Sequence, residues 1–207
     1  MNISIIIILD QINFIIWGVF VLEKLKKSLE KSPIIKKEDY NYFVHPVTDG
    51  IPLTQPEVLK EIAVAIKNNF STDVDKIVCV EAMGIHLATA LSLETDIPFV
   101  VIRKRCYGLP GEFAAHQTTG YSQGELYING INSGDSVLLI DDVVSTGGTM
   151  ISILKALKQM NVEIKEVVAV IEKGEGKKIV EKETGISLRS LIKVDILDGH
   201  VVARPIL

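Results

Sequence analysis

The chain has 207 residues, 47% of them apolar and 23% charged. These proportions fit one large globular domain with a sizeable core and exclude a mainly disordered chain. Twenty-two lysines and arginines against 26 acids leave a formal net charge of −4, which excludes a nucleic-acid coat or a polybasic membrane binder but permits a local anion site.

Ile3 to Leu22 is strongly apolar and long enough to span a bilayer. Asp10, Gln11 and Asn13 interrupt it, and a central Asp costs roughly 2.5–3.5 kcal/mol on insertion. No Lys or Arg precedes the run and no A-x-A-like cleavage site follows, so it is a poor secretory signal. If it did insert, Lys24, Lys26 and Lys27 would hold the main domain on the cytoplasmic side. The abrupt change before LEKLKKSLEK divides the chain into an apolar extension over 1–21, read as a mis-assigned start, and a domain over 22–207.

The spacing of Leu22, Leu25 and Leu29 predicts a helix over Leu22–Lys31. Ser32–Pro52 carries turn and short-strand signals. Thr54-Gln55-Pro56-Glu57 reads as a capping box, with Pro just inside a helix that runs to about Asn69; Val58, Ile62, Ala65 and Ile66 form its apolar face. A strand is expected over Lys76–Val80, a helix over Gly84–Glu94, and a strand over Phe99–Ile102. Arg103–Gly124 is polar and rich in Gly and Pro, in the manner of a functional lid. Further strands are expected at Glu125–Ile128, Val137–Ile140, Val167–Ile171 and Leu191–Leu197. Helices are expected over Gly147–Met160 and Lys177–Thr184. Such alternation implies an α/β domain with a mostly parallel sheet between helices.

The informative stretch is the run Val137–Ile140 followed by Asp141, Asp142, Val143, Val144, Ser145, Thr146, Gly147, Gly148 and Thr149. In open α/β sheets ligands bind at the carboxyl ends of strands. A helix beginning at Thr146–Thr149 offers unpaired amides and a positive dipole end to a phosphate. Two adjacent acids repel a polyphosphate but suit vicinal sugar hydroxyls. Neither GxxxxGK[ST] nor GxGxxG occurs. The constellation reads as a sugar-phosphate binder.

Asp141–Thr149 resembles the phosphoribosyl-pyrophosphate (PRPP) motif of type I phosphoribosyltransferases: an apolar run, two acids, then T-G-G-T. Glu81-Ala82-Met83-Gly84 is similar to the pyrophosphate loop of the adenine and xanthine enzymes. Ile97–Lys104 resembles their next strand, and Leu109-Pro110-Gly111-Glu112 the start of their mobile catalytic loop. The resemblance implies the type I fold, a mostly parallel sheet flanked by helices with a small hood. It also implies transfer of 5-phosphoribosyl from PRPP to a purine, with Mg2+ carried in by the pyrophosphate and ribose oxygens rather than by direct protein ligands. By motif, Asp141 and Asp142 would serve catalysis and Ser145, Thr146, Gly147, Gly148 and Thr149 would hold the 5′-phosphate. Ala82, Met83, Gly84, Arg103 and Lys104 would meet the pyrophosphate. A cytoplasmic homodimer is expected, with small-molecule partners and neither nucleic acid nor membrane.

Three departures separate the chain from adenine enzymes. Met83 stands where their pyrophosphate loop has Arg. Val47-Thr48-Asp49-Gly50-Ile51-Pro52 lacks the Arg of their F-R-D-I-x-P element. Gly120-Tyr121 replaces their Glu–Tyr pair, so the general acid/base stays unassigned. Lys173 ends the strand after the phosphate-loop helix, where 6-oxopurine enzymes place a lysine on O6. An ammonium only donates, so it pairs with a carbonyl and not with adenine's amino group. The expected reaction is purine salvage from hypoxanthine (and guanine), giving IMP (GMP) and pyrophosphate. An adenine phosphoribosyltransferase and a non-catalytic PRPP- or purine-sensing regulator stay open as alternatives.

Among the remaining residues, His45 beside Pro46 reads as a turn residue and His86 as packing. His116 lies in the mobile loop within possible reach of substrate, and Glu112 is a candidate acid or a solvated charge. Cys79 reads as core and Cys106 as an exposed loop thiol, both reduced and unpaired. The four scattered histidines do not suggest a zinc site.

Overall fold

The structure, a computed structural model, describes residues 22–37, 40–118 and 123–207, with Lys37, 116–118 and Gln123 described by their backbone alone. The apolar extension lies outside the described residues. Helix α1 (Glu23–Glu30) buries Leu25 and Leu29. Its first amides find their partner far along the chain: Glu61 accepts hydrogen bonds from the backbone N–H of Lys24 (3.1 Å) and Leu25 (2.7 Å). A carboxylate there satisfies orphan donors and complements the helix dipole.

Strands β1 (Ile34–Lys37) and β2 (Tyr40–Phe43) form an antiparallel hairpin, followed by a single helical turn α2 (Pro46–Asp49). Helix α3 (Pro56–Asn69) buries Val58, Ile62, Ala65 and Ile66. Its N-cap is Gln55, without a side-chain cap bond. The expected capping box is therefore not formed, because Pro56 starts the helix one residue after the position Thr54 would need.

The central sheet has six strands in the order β10-β9-β8-β7-β3-β4. These are β3 (Lys76–Val80), β4 (Phe99–Ile102), β7 (Ser136–Val144), β8 (Glu163–Glu172), β9 (Arg189–Leu197) and β10 (His200–Pro205). All neighbouring pairs are parallel except β9–β10. Helices α4 (Gly84–Thr95), α5 (Gly148–Gln159) and α6 (Gly176–Thr184) complete the α/β alternation. Central strands covered on both faces read as unbroken apolar runs. Thus Leu138 and Ile140 join one core cluster with α1, α3 and α4, while Val137 and Leu139 join the other with α5.

Three elements differ from the sequence reading. Strand β7 runs four residues beyond Ile140, so Asp141 and Asp142 are strand residues, not loop residues. Part of the expected lid folds as an antiparallel hairpin of β5 (Phe113–Thr118) and β6 (Gln123–Ile128). Its inner residues Ala115, Leu126 and Ile128 are buried. Strand β10 is additional. It returns through Asp198-Gly199, both at positive φ (49° and 76°), the Asp-Gly signature of a tight hairpin.

Candidate active site

The carboxyl ends of β3 and β7 border a cleft of about 320 Å³. It is lined by the continuous stretch Asp141–Met150, by Glu81–Met83, and by Lys104 and Thr48. Between β7 and α5 the chain has only Ser145, Thr146 and Gly147. Gly147 adopts φ +80°, and a Cβ there would sit 2.6 Å from Val180 Cγ2 and 2.9 Å from the Gly176 carbonyl oxygen. At Gly176 a Cβ would sit 2.3 Å from the Ser145 carbonyl oxygen. The two glycines let the loop rest on the start of α6. Gly176 escaped the sequence reading, although the Gly174-Glu175-Gly176 run before a helix marks a close backbone approach. Gly147 offers no side chain to cap α5, and the start of that helix, the positive end of its dipole, lines the cleft.

Asp141 and Asp142 stand on β7, separated from this loop by Val143 and Val144. Asp141 Oδ1 accepts the Asp142 N–H at 3.0 Å. Burial raises the pKa of both carboxyls, and for Asp142 the neighbouring Asp141 charge raises it further. Lys104 pulls the Asp141 value down in part. A pair of this kind resists double ionisation until positive charge arrives beside it. Gly84 allows α4 to start against it, since a Cβ there would lie 3.1 Å from Cys79 Cβ and 3.5 Å from Asp141 Oδ1.

On the opposite wall, Ala82 is exposed and Met83 half-buried. Met83 is the N-cap of α4 without a side-chain cap bond. Its Cε lies 3.3 Å from where a Cβ on Gly50 would sit, so Met83 connects this wall to the end of α2. Lys104 lines the cleft and donates its backbone N–H to Glu81. Arg103 does not line the cleft. Its Nε lies 3.1 Å from Glu81 Oε2, the carboxylate that the turn after β3 places beside it.

The β1–β2 hairpin and α2 form the hood. Tyr42 donates its hydroxyl to Asp49 Oδ1 (2.6 Å), and Asp49 Oδ2 also accepts from the His45 N–H (3.0 Å) and Thr48 Oγ1 (2.7 Å). His45 is buried and more than a turn residue. Its Nδ1 accepts the Val47 N–H, its Nε2 meets Ser28 Oγ at 2.8 Å, and burial lowers its pKa to about 4. It is thus a neutral strut between α1 and the hood. Lys173 follows β8, is half-buried, and donates its N–H to the Val144 carbonyl (3.0 Å). Its ammonium faces the rings of Phe43, Tyr42 and Tyr40 at 5.3, 5.8 and 6.0 Å from their centroids.

Glu112 organises its own loop. It accepts hydrogen bonds from Asn129 Nδ2 (2.7 Å), the Cys106 thiol (2.9 Å) and the Gly108 N–H (3.0 Å). These bonds, Asn129's foremost, hold its pKa down to about 2. A carboxylate so held is a poor proton donor at neutral pH. His86 Nε2 is buried with no hydrogen-bond partner among the described residues, and burial lowers its pKa. Cys79 is core, its thiol pushed up to about 12 by burial, and Cys106 is exposed. Gly120, Tyr121 and the His116 side chain lie outside the described residues. Among the described residues no three metal-ligating side chains gather, and no helix is long and apolar enough to cross a membrane.

Comparisons with known proteins show what the chain is similar to. The family model of the phosphoribosyl transferase domain matches residues 53–194. The hypoxanthine/guanine phosphoribosyltransferase of Methanothermobacter thermautotrophicus is 62% identical over 181 residues, 87% of this chain and 94% of that protein. That of Methanobacterium lacus is 66% identical over 181 residues, 87% of this chain and 95% of its own. Among solved structures, the adenine phosphoribosyltransferase of Thermoanaerobacter pseudethanolicus superposes with a TM-score of 0.68 at 22% identity, over 84% of this chain and 99% of that one. At that identity the likeness establishes the type I fold alone. With a family model over more than half the chain and relatives above 60% identity, the chain belongs to the phosphoribosyltransferase family.

Proposed function

We infer that this chain is a purine-salvage enzyme that transfers 5-phosphoribosyl from PRPP to hypoxanthine or guanine. The relatives at 62% and 66% identity bear that name. The observation that carries the reading is that the twin acids of β7 and the glycine loop opening α5 line one cleft as a continuous stretch, Asp141–Met150.

Ser145–Thr149 would hold the 5′-phosphate through amides and hydroxyls. Asp141 and Asp142 would bind the ribose hydroxyls. As the bond from the ribose anomeric carbon to pyrophosphate breaks, positive charge grows on the sugar. The two carboxyls, whose ionisation burial disfavours, then gain a reason to ionise and stabilise it. Ala82, Met83 and Gly84 amides, with Lys104, would face the departing pyrophosphate. Arg103 would act from behind, holding Glu81 and with it the turn. The base nitrogen forms the new bond to the anomeric carbon as the bond to pyrophosphate breaks, and its proton passes to the departing pyrophosphate or to solvent. Lys173 would donate to the purine O6.

Magnesium fits this cleft as a cation carried mainly by substrate oxygens, because two carboxylates are present without a clustered protein ligand set. When bound it offsets charge on the leaving group. On the same reading the protein is a cytoplasmic homodimer. Compatible with a dimer, Leu93 on α4 is 81% exposed and Phe99 on the edge strand β4 is 36% exposed, apolar side chains that a second copy would cover.

The test is product formation from PRPP and Mg2+ with each purine in turn. IMP and GMP are expected, with AMP far slower. AMP as the main product would overturn the base assignment; no transfer to any purine would overturn the reading.

A further inference from the structure

Lys173 has an unusual setting for a cation. Lys173 directly follows Glu172, the last residue of β8. Glu172 is engaged by Lys193 (3.4 Å) and Lys177 (3.8 Å). Among the described residues no carboxylate pairs with the Lys173 ammonium. Three rings of the hood hairpin face it instead, with Phe43 and Tyr42 near parallel at an interplanar angle of 13° and Tyr40 edge-on to Tyr42 at 77°.

Aromatic faces attract an ammonium without neutralising it, and without offering an acceptor that would consume its hydrogens. A carboxylate in the same place would compete with any incoming ligand for those donors. Rings therefore keep a charged donor placed but unspent. The location is apt: Lys173 is tied through its backbone to Val144, which lines the cleft, and Tyr42 is tied to Asp49 beside Thr48, which also lines it.

We propose that Tyr40 and Tyr42, with Phe43 beneath them, form an aromatic cradle that positions the Lys173 ammonium for a 6-oxo group, making these tyrosines positioning residues for base specificity. The inference rests on the hypoxanthine/guanine reading above. It assigns the tyrosines an action through Lys173, not through direct stacking on the base.

The experiment measures IMP, AMP and ribose 5-phosphate binding by calorimetry, in wild type and in Tyr40→Leu/Tyr42→Leu, each with and without Lys173→Met. Phe43 is left intact because it is 3% exposed and belongs to the core. In the Lys173 background the double leucine variant is expected to weaken IMP about tenfold, in line with two lost cation–π contacts. Ribose 5-phosphate binding should hold, which shows that the phosphate loop is folded. In the Lys173→Met background the same leucine pair should change IMP binding less than about twofold, because residues acting through one another are not additive. Tyr42→Phe, which keeps the ring and loses the Asp49 bond, should retain the IMP preference. Equal weakening in both backgrounds, or unchanged IMP binding in the first, overturns the cradle. A wild type that does not prefer IMP over AMP overturns the base assignment instead, and the two failures are thereby distinguishable.

Discussion

Asp142 combines a proposed role in the reaction with a cost to the fold. Its folded pKa is raised, by burial first and the Asp141 charge second. The folded state therefore binds more protons than the unfolded chain over the interval above the ordinary carboxyl value of about 4. Stability is fully present below that value and is lost as pH rises through the raised one. Asp142→Asn is expected to raise Tm in the ligand-free protein, more at about pH 8 than at about pH 5, while cutting kcat at least about a hundredfold. Thermal melts at the two pH values check the first part and steady-state kinetics the second. Gly147→Ala acts in the opposite sense. A methyl at φ +80° and 2.6 Å from Val180 is expected to cost about 1–3 kcal/mol and to raise KM for PRPP, both readable in denaturant melts and kinetics. The Asp-Asp and T-G-G-T residues were legible because their chemistry is local. Gly176 was not, because its need for a bare Cα comes from Ser145, thirty-one positions earlier and visible only in three dimensions.

Among the elements, the parallel core strands and their helices were readable from unbroken apolar runs and 3.6-residue spacing. The lid was misread in part. The β5–β6 hairpin buries only alternate residues, Ala115, Leu126 and Ile128, and its polar outer face resembles loop composition. Strand β7 was cut short for a related reason: carboxylates are rare in strands, and only the cleft makes room for two. Helix α1 depends on a partner its own sequence does not contain. Glu61→Ala leaves the Lys24 and Leu25 amides without their acceptor and is expected to lower stability by about 1–3 kcal/mol, measured by urea denaturation, with Glu61→Gln recovering part of it. Activity per folded molecule should be unchanged, because Glu61 lies outside the cleft.

For the molecule as a whole, the fold was legible in the sequence and most residues proposed for PRPP lie along one cleft, whereas base choice rested on Lys173 and on three departures from adenine enzymes, and the aromatic surroundings of Lys173 emerged only with the hairpin in place. Oligomeric state is a property of the whole surface: on the proposed homodimer, Leu93→Glu, which charges an apolar side chain left 81% exposed, is expected to shift dimer toward monomer in sedimentation experiments. The central claim is that the Ser145–Thr149 bend seats a sugar phosphate with Asp141 and Asp142 on its ribose. A crystal of the protein with ribose 5-phosphate tests it most directly. The account predicts phosphate oxygens within hydrogen-bond distance of the amides from Thr146 to Thr149, and ribose hydroxyls against the two carboxylates. A phosphate bound elsewhere, with that bend empty at saturating ligand, would contradict it.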